Sequence, residues 1–203
     1  MDKFGSRLVA VPTSPARPYH HGDLRPALLK AAVEVIDEVG PAAMSVREVA
    51  RRAGVTHAAA TYHFGDKAGL LTAVAAEGYR LLAEALEDAQ RAHHSFLEVG
   101  VAYVRFAVAH RAHFEVMFRP ELYRSDDADL RTARAAGARL LYGSRHASDE
   151  QLTAGVAAWA LVHGIATLWL DGNLPARLGD DAEEVTRHVA AHLRTARDPS
   201  AGI

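Results

Sequence analysis

Alanine fills 41 of the 203 positions, while Phe, Trp and Tyr together make up only 7% of the chain. Alanine is the best helix former, whereas aromatic and β-branched side chains are what a pleated sheet packs with. The imbalance predicts an all-α protein. Hydrophobic residues at 49% and charged residues at 24% leave enough apolar material for a core. A chain of this length suits one large domain or two small ones. There is no cysteine, which excludes a disulfide framework, a thiolate zinc site and a cysteine nucleophile. A reducing cytoplasm is the simplest setting.

Caps and breaks divide the chain into about nine helices. Residues 1–22 hold Pro12, Pro15 and Pro18 among Gly, Ser and Thr, with no helical period, and read as a flexible arm. Asp23 is placed to cap a first helix, with Leu24, Leu28, Ala32, Val35, Ile36 and Val39 on one face and Gly40-Pro41 as its end. Ser45-Val46-Arg47-Glu48 has the form of a capping box and opens a short second helix that Gly54 stops. Thr56 caps a third, running to about Phe64, and Asp66 caps a long fourth from Lys67 to about Gln90. Ser95-Phe96-Leu97-Glu98 repeats the capping-box pattern and starts a helix through His110, with further turns to Phe118 before Arg119-Pro120. Residues 126–145 read as a weakly amphipathic helix, 148–170 as a strongly apolar one, and a last helix starts at Asp180-Asp181 and fades near Arg197. The longest apolar run, Gly155 to Leu170, contains His163 and falls short of a membrane span. The run Leu8 to Val11 is too short for a signal peptide.

The strongest functional signal lies in residues 45–67. Two short helices joined by Ala53-Gly54-Val55-Thr56 must cross steeply, so the second projects from the surface and can enter a major groove. Net charge is −2 overall, but residues 1–67 carry nine basic and seven acidic side chains and the remainder 14 and 18. A basic head on an acidic body permits nucleic-acid binding by the head. The third helix has no Arg, Lys, Asn or Gln, so the usual bidentate base contacts are closed to it. Ala58, Ala59 and Ala60 offer methyl surface, at least part of it free to meet thymine methyls; His57, Thr61 and Tyr62 supply the few polar contacts, and Arg47 is the expected guanine reader. Arg51 and Arg52 read as a solvated face. Lys67 at the start of its helix suits a phosphate, and Arg17 and Tyr19 extend the basic arm toward the groove.

The stretches "YHHGDLRPALLKAAVEVIDEVG" (19–40) and "MSVREVARRAGVTHAAATYHFGDKAGLLTAV" (44–74) resemble the DNA-binding region of the TetR/AcrR family of transcriptional regulators. "AAWALVHGIATLWLDG" (157–172) is similar to the Trp-His-Gly segment of one C-terminal subclass. The resemblance implies a homodimeric repressor: a helix-turn-helix head over 23–67, and a ligand-binding and dimerisation body over 68–203. It matches Ser45, Thr56, His63 and Lys67 to positions that meet phosphate or cap the contacting helices. It departs at Thr61, where the family usually carries a backbone-touching Tyr; here Tyr62 follows instead.

In the body, aromatic residues gather between 96 and 123, with Trp159 and His163 further on. A mostly apolar pocket oriented by a few polar rings is expected from Tyr103, Phe106, His110, Phe114, Met117, Trp159 and His163. The resemblance adds a small hydrophobic or aromatic effector. The helix over 149–170, apolar nearly all round, needs cover on more than one side. With 181–197 it is the expected two-fold dimer surface, Ala154, Gly155, Ala157 and Ala158 allowing close approach and Val185, Val189 and Leu193 adding apolar cover. A pseudo-palindromic double-stranded operator then follows. The rival readings are a helical metal- or small-molecule-binding protein and an all-α enzyme, neither binding DNA. Glu184, His188 and His192 share a helix face and His110 and His113 form a pair, but neither set supplies converging ligands, and no metal or other cofactor is expected. No phosphate loop or nucleophile motif is present, so no enzyme is expected.

Overall fold

The structure is a computed structural model describing residues 24–143 and 147–195. Arg17, Tyr19 and the cap Asp23 lie outside the described residues. Those residues form nine α-helices, two 3-10 turns and no strand. The helices are α1 (Leu24–Ala43), α2 (Val46–Arg52), α3 (His57–Phe64), α4 (Lys67–His93), α5 (Phe96–Ala109), α6 (Arg111–Met117), α7 (Ala128–Tyr142), α8 (Asp149–Leu170) and α9 (Ala182–Thr195).

The first three helices close around a small core. Leu28, Ala32, Val35 and Ile36 of α1 meet Val49 and Ala50 of α2, Ala60 and Phe64 of α3, and Leu70, Leu71 and Val74 at the start of α4. The regular part of α1 ends at Gly40, whose φ of 76° breaks the helix one residue before Pro41. Gly54 sits between α2 and α3 at φ 70°, a left-handed conformation that costs glycine nothing and lets two helices turn sharply.

Side-chain caps fall where hydroxyls and carboxylates were expected, with two corrections. Ser45 accepts from the Glu48 N–H, but the Glu48 carboxylate does not return to Ser45; it takes Arg51 at 2.6 and 2.8 Å. Ser95 makes no side-chain cap bond at α5, and the Glu98 carboxylate, which would return to Ser95, is bound by Arg187 of α9 at 2.9 and 3.0 Å. In both cases a bidentate guanidinium competes better for the carboxylate than a single backbone N–H. The full capping box is at α8, between Ser148 and Gln151.

The body is built on α4, which packs along α7 and against α5 and α6, while α8 and α9 lie on α5. A break at His110 (φ −123°, ψ 46°) separates α5 from α6, and α1 rests on α6. With 22 residues and an 18-residue stretch of mean hydropathy 1.5, α8 is by length and composition alone long and apolar enough to cross a membrane, contrary to the reading from its 16-residue run. It nevertheless packs on α5, α7 and α9, and its outward face holds Ala157, Ala160 and Gly164. Gly155 is buried against α7 of its own chain, where an added Cβ would lie 2.5 Å from Tyr142 Cα. Val185 also faces inward, at 1% exposure. Gly155 and Val185 therefore serve the fold of the subunit and drop out of the expected dimer surface.

Candidate nucleic-acid interface and its linked cavity

Two buried residues, Ala60 and Phe64, pin α3 to the head, and the guanidinium of Arg25 stands 5.2 Å over the Phe64 ring. Opposite that anchor, His57, Ala58 and Thr61 are exposed, and Tyr62 is 87% exposed. An aromatic ring left this far in water by a well-packed helix has no role in the subunit's own core. Ala58 is exposed, Ala59 half-buried and Ala60 fully buried, so part of the methyl surface faces outward. Ser45 and Thr56 cap α2 and α3 by accepting backbone N–H groups at 3.2 Å, which leaves each hydroxyl proton free to donate outward.

The cations sort themselves by partner. Arg51 is held by Glu48, and Arg52 by Glu38 at 2.7 Å through both nitrogens. Arg47, on the same short helix, is exposed and makes no ion pair or hydrogen bond with any described residue. The Lys67 Nζ donates to the Ala42 carbonyl at 2.6 Å and ties the start of α4 to the end of α1. His63 is half-buried and lines the cleft between head and body, beside Arg25 and Arg124, rather than the exposed side of α3.

That cleft holds a strap that sequence reasoning missed. Arg124 donates to the Asp66 carboxylate at 2.9 Å, and its backbone N–H donates to the Thr72 hydroxyl at 3.0 Å. Asp66 is the cap of α4 and also accepts from the Gly69 N–H at 2.8 Å. The Gly69 N–H first, and then the Arg124 guanidinium, hold the Asp66 carboxyl below its usual range. The residue before Arg124 is Tyr123, whose hydroxyl donates to the Met117 carbonyl at 2.8 Å.

Tyr123 also lines a cavity of about 250 Å³ in the body. Its walls are Tyr79 and Leu82 of α4, Met117, Phe118, Pro120 and Tyr123 at the end of α6, Arg134, Gly137, Ala138, Leu141 and Tyr142 of α7, and Trp159 of α8. Of the seven residues expected to form a pocket, only Met117 and Trp159 line this cavity. Tyr103, Phe114 and His163 pack as support behind the Trp159 ring. The Tyr103 hydroxyl lies 2.9 Å from His163 Nδ1, Trp159 Nε1 donates to the same hydroxyl at 3.3 Å, and Phe114 stacks on His163 with centroids 5.4 Å apart. Burial pushes His163 below its ordinary range, which favours the neutral ring. Phe106 and His110 stack on each other elsewhere, 5.0 Å between centroids, next to the His113–Glu77 pair at 3.0 Å. The weak pattern of α7 concealed the cavity wall. Its cue was Arg134, Gly137, Ala138 and Leu141, spaced at three to four residues with small side chains in the middle.

Among the described residues no three His, Asp or Glu side chains converge to hold a metal ion. Glu184, His188 and His192 are exposed along the outside of α9.

Two family models match the chain. The one described as bacterial regulatory proteins of the tetR family covers residues 28–74, and the one described as the tetracyclin repressor-like C-terminal domain covers residues 96–193. The HTH-type transcriptional regulator BetI of Vibrio campbellii is 29% identical over 171 residues, 79% of this chain and 85% of that one. A Rhodococcus sp. RHA1 protein of unknown function has a solved structure with a TM-score of 0.72 and 31% identity, over 89% of this chain and 98% of the other. NalD of Pseudomonas aeruginosa, the secondary repressor of the MexAB-OprM multidrug efflux pump, shares the fold at a TM-score of 0.57 and 23% identity, over 88% of this chain and 100% of its own. The first family model spans the exposed α3 and its anchors, and the second spans the cavity's α6 and α7 and the apolar α8. The chain belongs to the TetR family of bacterial regulatory proteins.

Proposed function

We propose that this protein is a DNA-binding transcriptional regulator, acting as a homodimeric repressor that leaves its operator when a small, mainly apolar effector enters the cavity between α4, α7 and Trp159. Residues 23–67 serve as the head and 68–203 as the body. The observation that carries the reading is the outer side of α3, where Tyr62 stands 87% exposed, with the unpartnered Arg47 on the preceding helix. A regulator of this kind works in the cytoplasm, alongside the chromosome, and performs no catalysis.

Selection of bound duplexes from a random pool tests the reading. The expected product is an inverted repeat whose half-sites lie about one helical turn apart, roughly 34–36 Å. Arg47→Ala is expected to relax the choice at one guanine per half-site, at about 1–3 kcal/mol per contact. Arg51→Ala, which removes a cation already paired to Glu48, should leave the selected sequence unchanged. A pool with no enriched sequence would defeat the proposal, and a uniform loss with Arg47→Ala would reduce that residue to a phosphate contact.

The strap supplies the coupling. Tyr123 senses the cavity, and Arg124 holds the cap of the helix that follows α3. Gly137→Leu, at a position where an added Cβ meets nothing, should partly fill the cavity and imitate occupancy. It is expected to weaken operator binding in the native background and to lose that effect with Arg124→Ala. The interaction energy is expected at about 1–3 kcal/mol in a double-mutant cycle read by fluorescence anisotropy. Arg124→Ala alone should barely alter melting, an exposed ion pair being worth about 0–1 kcal/mol. Simple additivity of the two substitutions would remove Arg124 from the coupling.

A further inference from the structure

The cavity's charge is one-sided. No Asp or Glu lines it, and its one charged lining residue is Arg134. Arg134 makes no ion pair or hydrogen bond with any described residue. On the same helix and its cap, Asp129 is taken by Arg80 at 2.5 Å and Asp127 accepts from the Leu130 N–H at 2.9 Å, while Glu121, outside the lining, acts on the Tyr123 hydroxyl from the other side. The field of Arg134 reaches the interior, because it favours the ionised form of both the Tyr79 and the Tyr123 hydroxyl, although burial outweighs it and pushes both groups up. Both of those hydroxyls already donate to the Met117 carbonyl. Tyr142 is also in the wall, and its hydroxyl has no partner among the described residues. The guanidinium of Arg134 is thus a charged donor with no acceptor among the residues that line the cavity.

The rest of the wall selects for a flat apolar body. Trp159 stands between Phe118 and Tyr142, with centroid separations of 6.4 and 5.8 Å. These rings are already in mutual contact and form a continuous aromatic wall, against which a further ring can pack in edge or offset contact. Roughly 150 Å³ is enough to hold benzene, so about 250 Å³ takes one or two fused rings with a polar group at the rim.

We propose, on the reading that this cavity is the effector site, that the effector is a small aromatic acid whose rings lie against Trp159 and whose carboxylate is held by Arg134. Cationic ligands are repelled, and neutral analogues leave the guanidinium without a partner.

The test is calorimetric titration of the full chain with three isosteric probes: 2-naphthoate, 2-naphthamide and 2-naphthylmethylammonium. The acid is expected to bind roughly tenfold tighter than the amide, the lower end for a charged hydrogen bond at a partly solvated rim. The amine is expected to bind weakest. Arg134→Gln, a change at an exposed position, should abolish the preference for the acid and leave the amide's affinity in place. Gly137→Leu should weaken the acid and the amide together. Equal binding of acid and amide in the native protein, or a preference that survives Arg134→Gln, overturns the inference. If those probes nevertheless respond to Gly137→Leu, the cavity keeps its place as the effector site and only the charge assignment fails. Probes that bind but ignore Gly137→Leu sit elsewhere and defeat both readings, and no binding by any probe at millimolar concentration overturns the inference as well.

Discussion

Gly69→Ala is expected to weaken DNA binding severely although it substitutes no residue on the exposed side of α3. Gly69 lies in the first turn of α4, and a Cβ added there would overlap the carbonyl oxygen of Phe64, far inside contact distance. Phe64 is the last residue of α3 and one of its two anchors. Because the clash is with backbone, no side-chain rotation relieves it, and α3 must swing or its end must unwind. Overpacking typically costs about 1–3 kcal/mol, and an immovable partner places this change at the upper end. The same Cβ would press on Arg124 Nη1 at 3.3 Å, so the strap across Asp66 loosens too. If most of that cost must be repaid each time α3 is seated in a groove, operator affinity falls roughly a hundredfold. Gly137→Ala is the matched control. It is another helical glycine, with nothing within 4 Å of an added Cβ, and it should gain up to about 1 kcal/mol from helix propensity. Urea unfolding and fluorescence anisotropy on the selected operator give both quantities. Similar behaviour of the two variants would mean that the joint between α3 and α4 tolerates displacement.

This joint marks a boundary of what sequence patterns reveal. The helices were legible because their ends are written locally: Thr56, Asp66 and Asp127 each cap through their own side chain within three residues. The close approach of Phe64 to Gly69 depends on the angle at Gly65, which no local pattern specifies. The two failed capping boxes have the same origin. Glu48 and Glu98 match the pattern, yet each is claimed by an arginine. For Glu98 that arginine is 89 residues away, beyond any short-range reading.

The candidate site divides along the same line. The exposed side of α3 was legible because helical spacing separates Ala60 and Phe64 from His57, Thr61 and Tyr62. The cavity was only half legible. The aromatic residues between 96 and 123 were visible as a group, but some fill the core and others face empty space, and that depends on what packs opposite. Gly137 and Ala138 of α7 decide it, since small residues opposite Tyr79 and Trp159 leave the volume that larger ones would fill. Tyr103 and His163 were expected to meet a ligand as polar groups among aromatics. They satisfy each other instead at 2.9 Å and spend their polarity in holding Trp159.

Ala160→Glu is expected to have the larger effect on the proposed regulator, because it acts on both half-sites at once. The outward face of α8 carries Leu152, Val156 and Leu168 at 42–44% exposure, and between them Ala157, Ala160 and Gly164. Nothing lies within 4 Å of a Cβ added to Gly164. A stripe of small residues flanked by large apolar ones is the shape that lets a second helix approach closely, and on a two-fold axis Ala160 would meet its own copy or a near neighbour. A carboxylate there faces a second carboxylate in a desolvated contact, and charge buried without a partner is strongly unfavourable. The variant is expected to sediment as a monomer at micromolar concentration while keeping its helix content and its affinity for an isolated half-site. Affinity for the full operator should fall roughly 10²–10⁴-fold, the part contributed by joining two modest contacts in one assembly. Val185→Glu provides the opposite case, since that side chain is buried within its own subunit and its replacement should unfold the body before it dissociates anything. An Ala160→Glu protein that remains dimeric and holds the full operator with native affinity would place the subunit contact on a different face, and would leave the apolar side of α8 still in need of a cover.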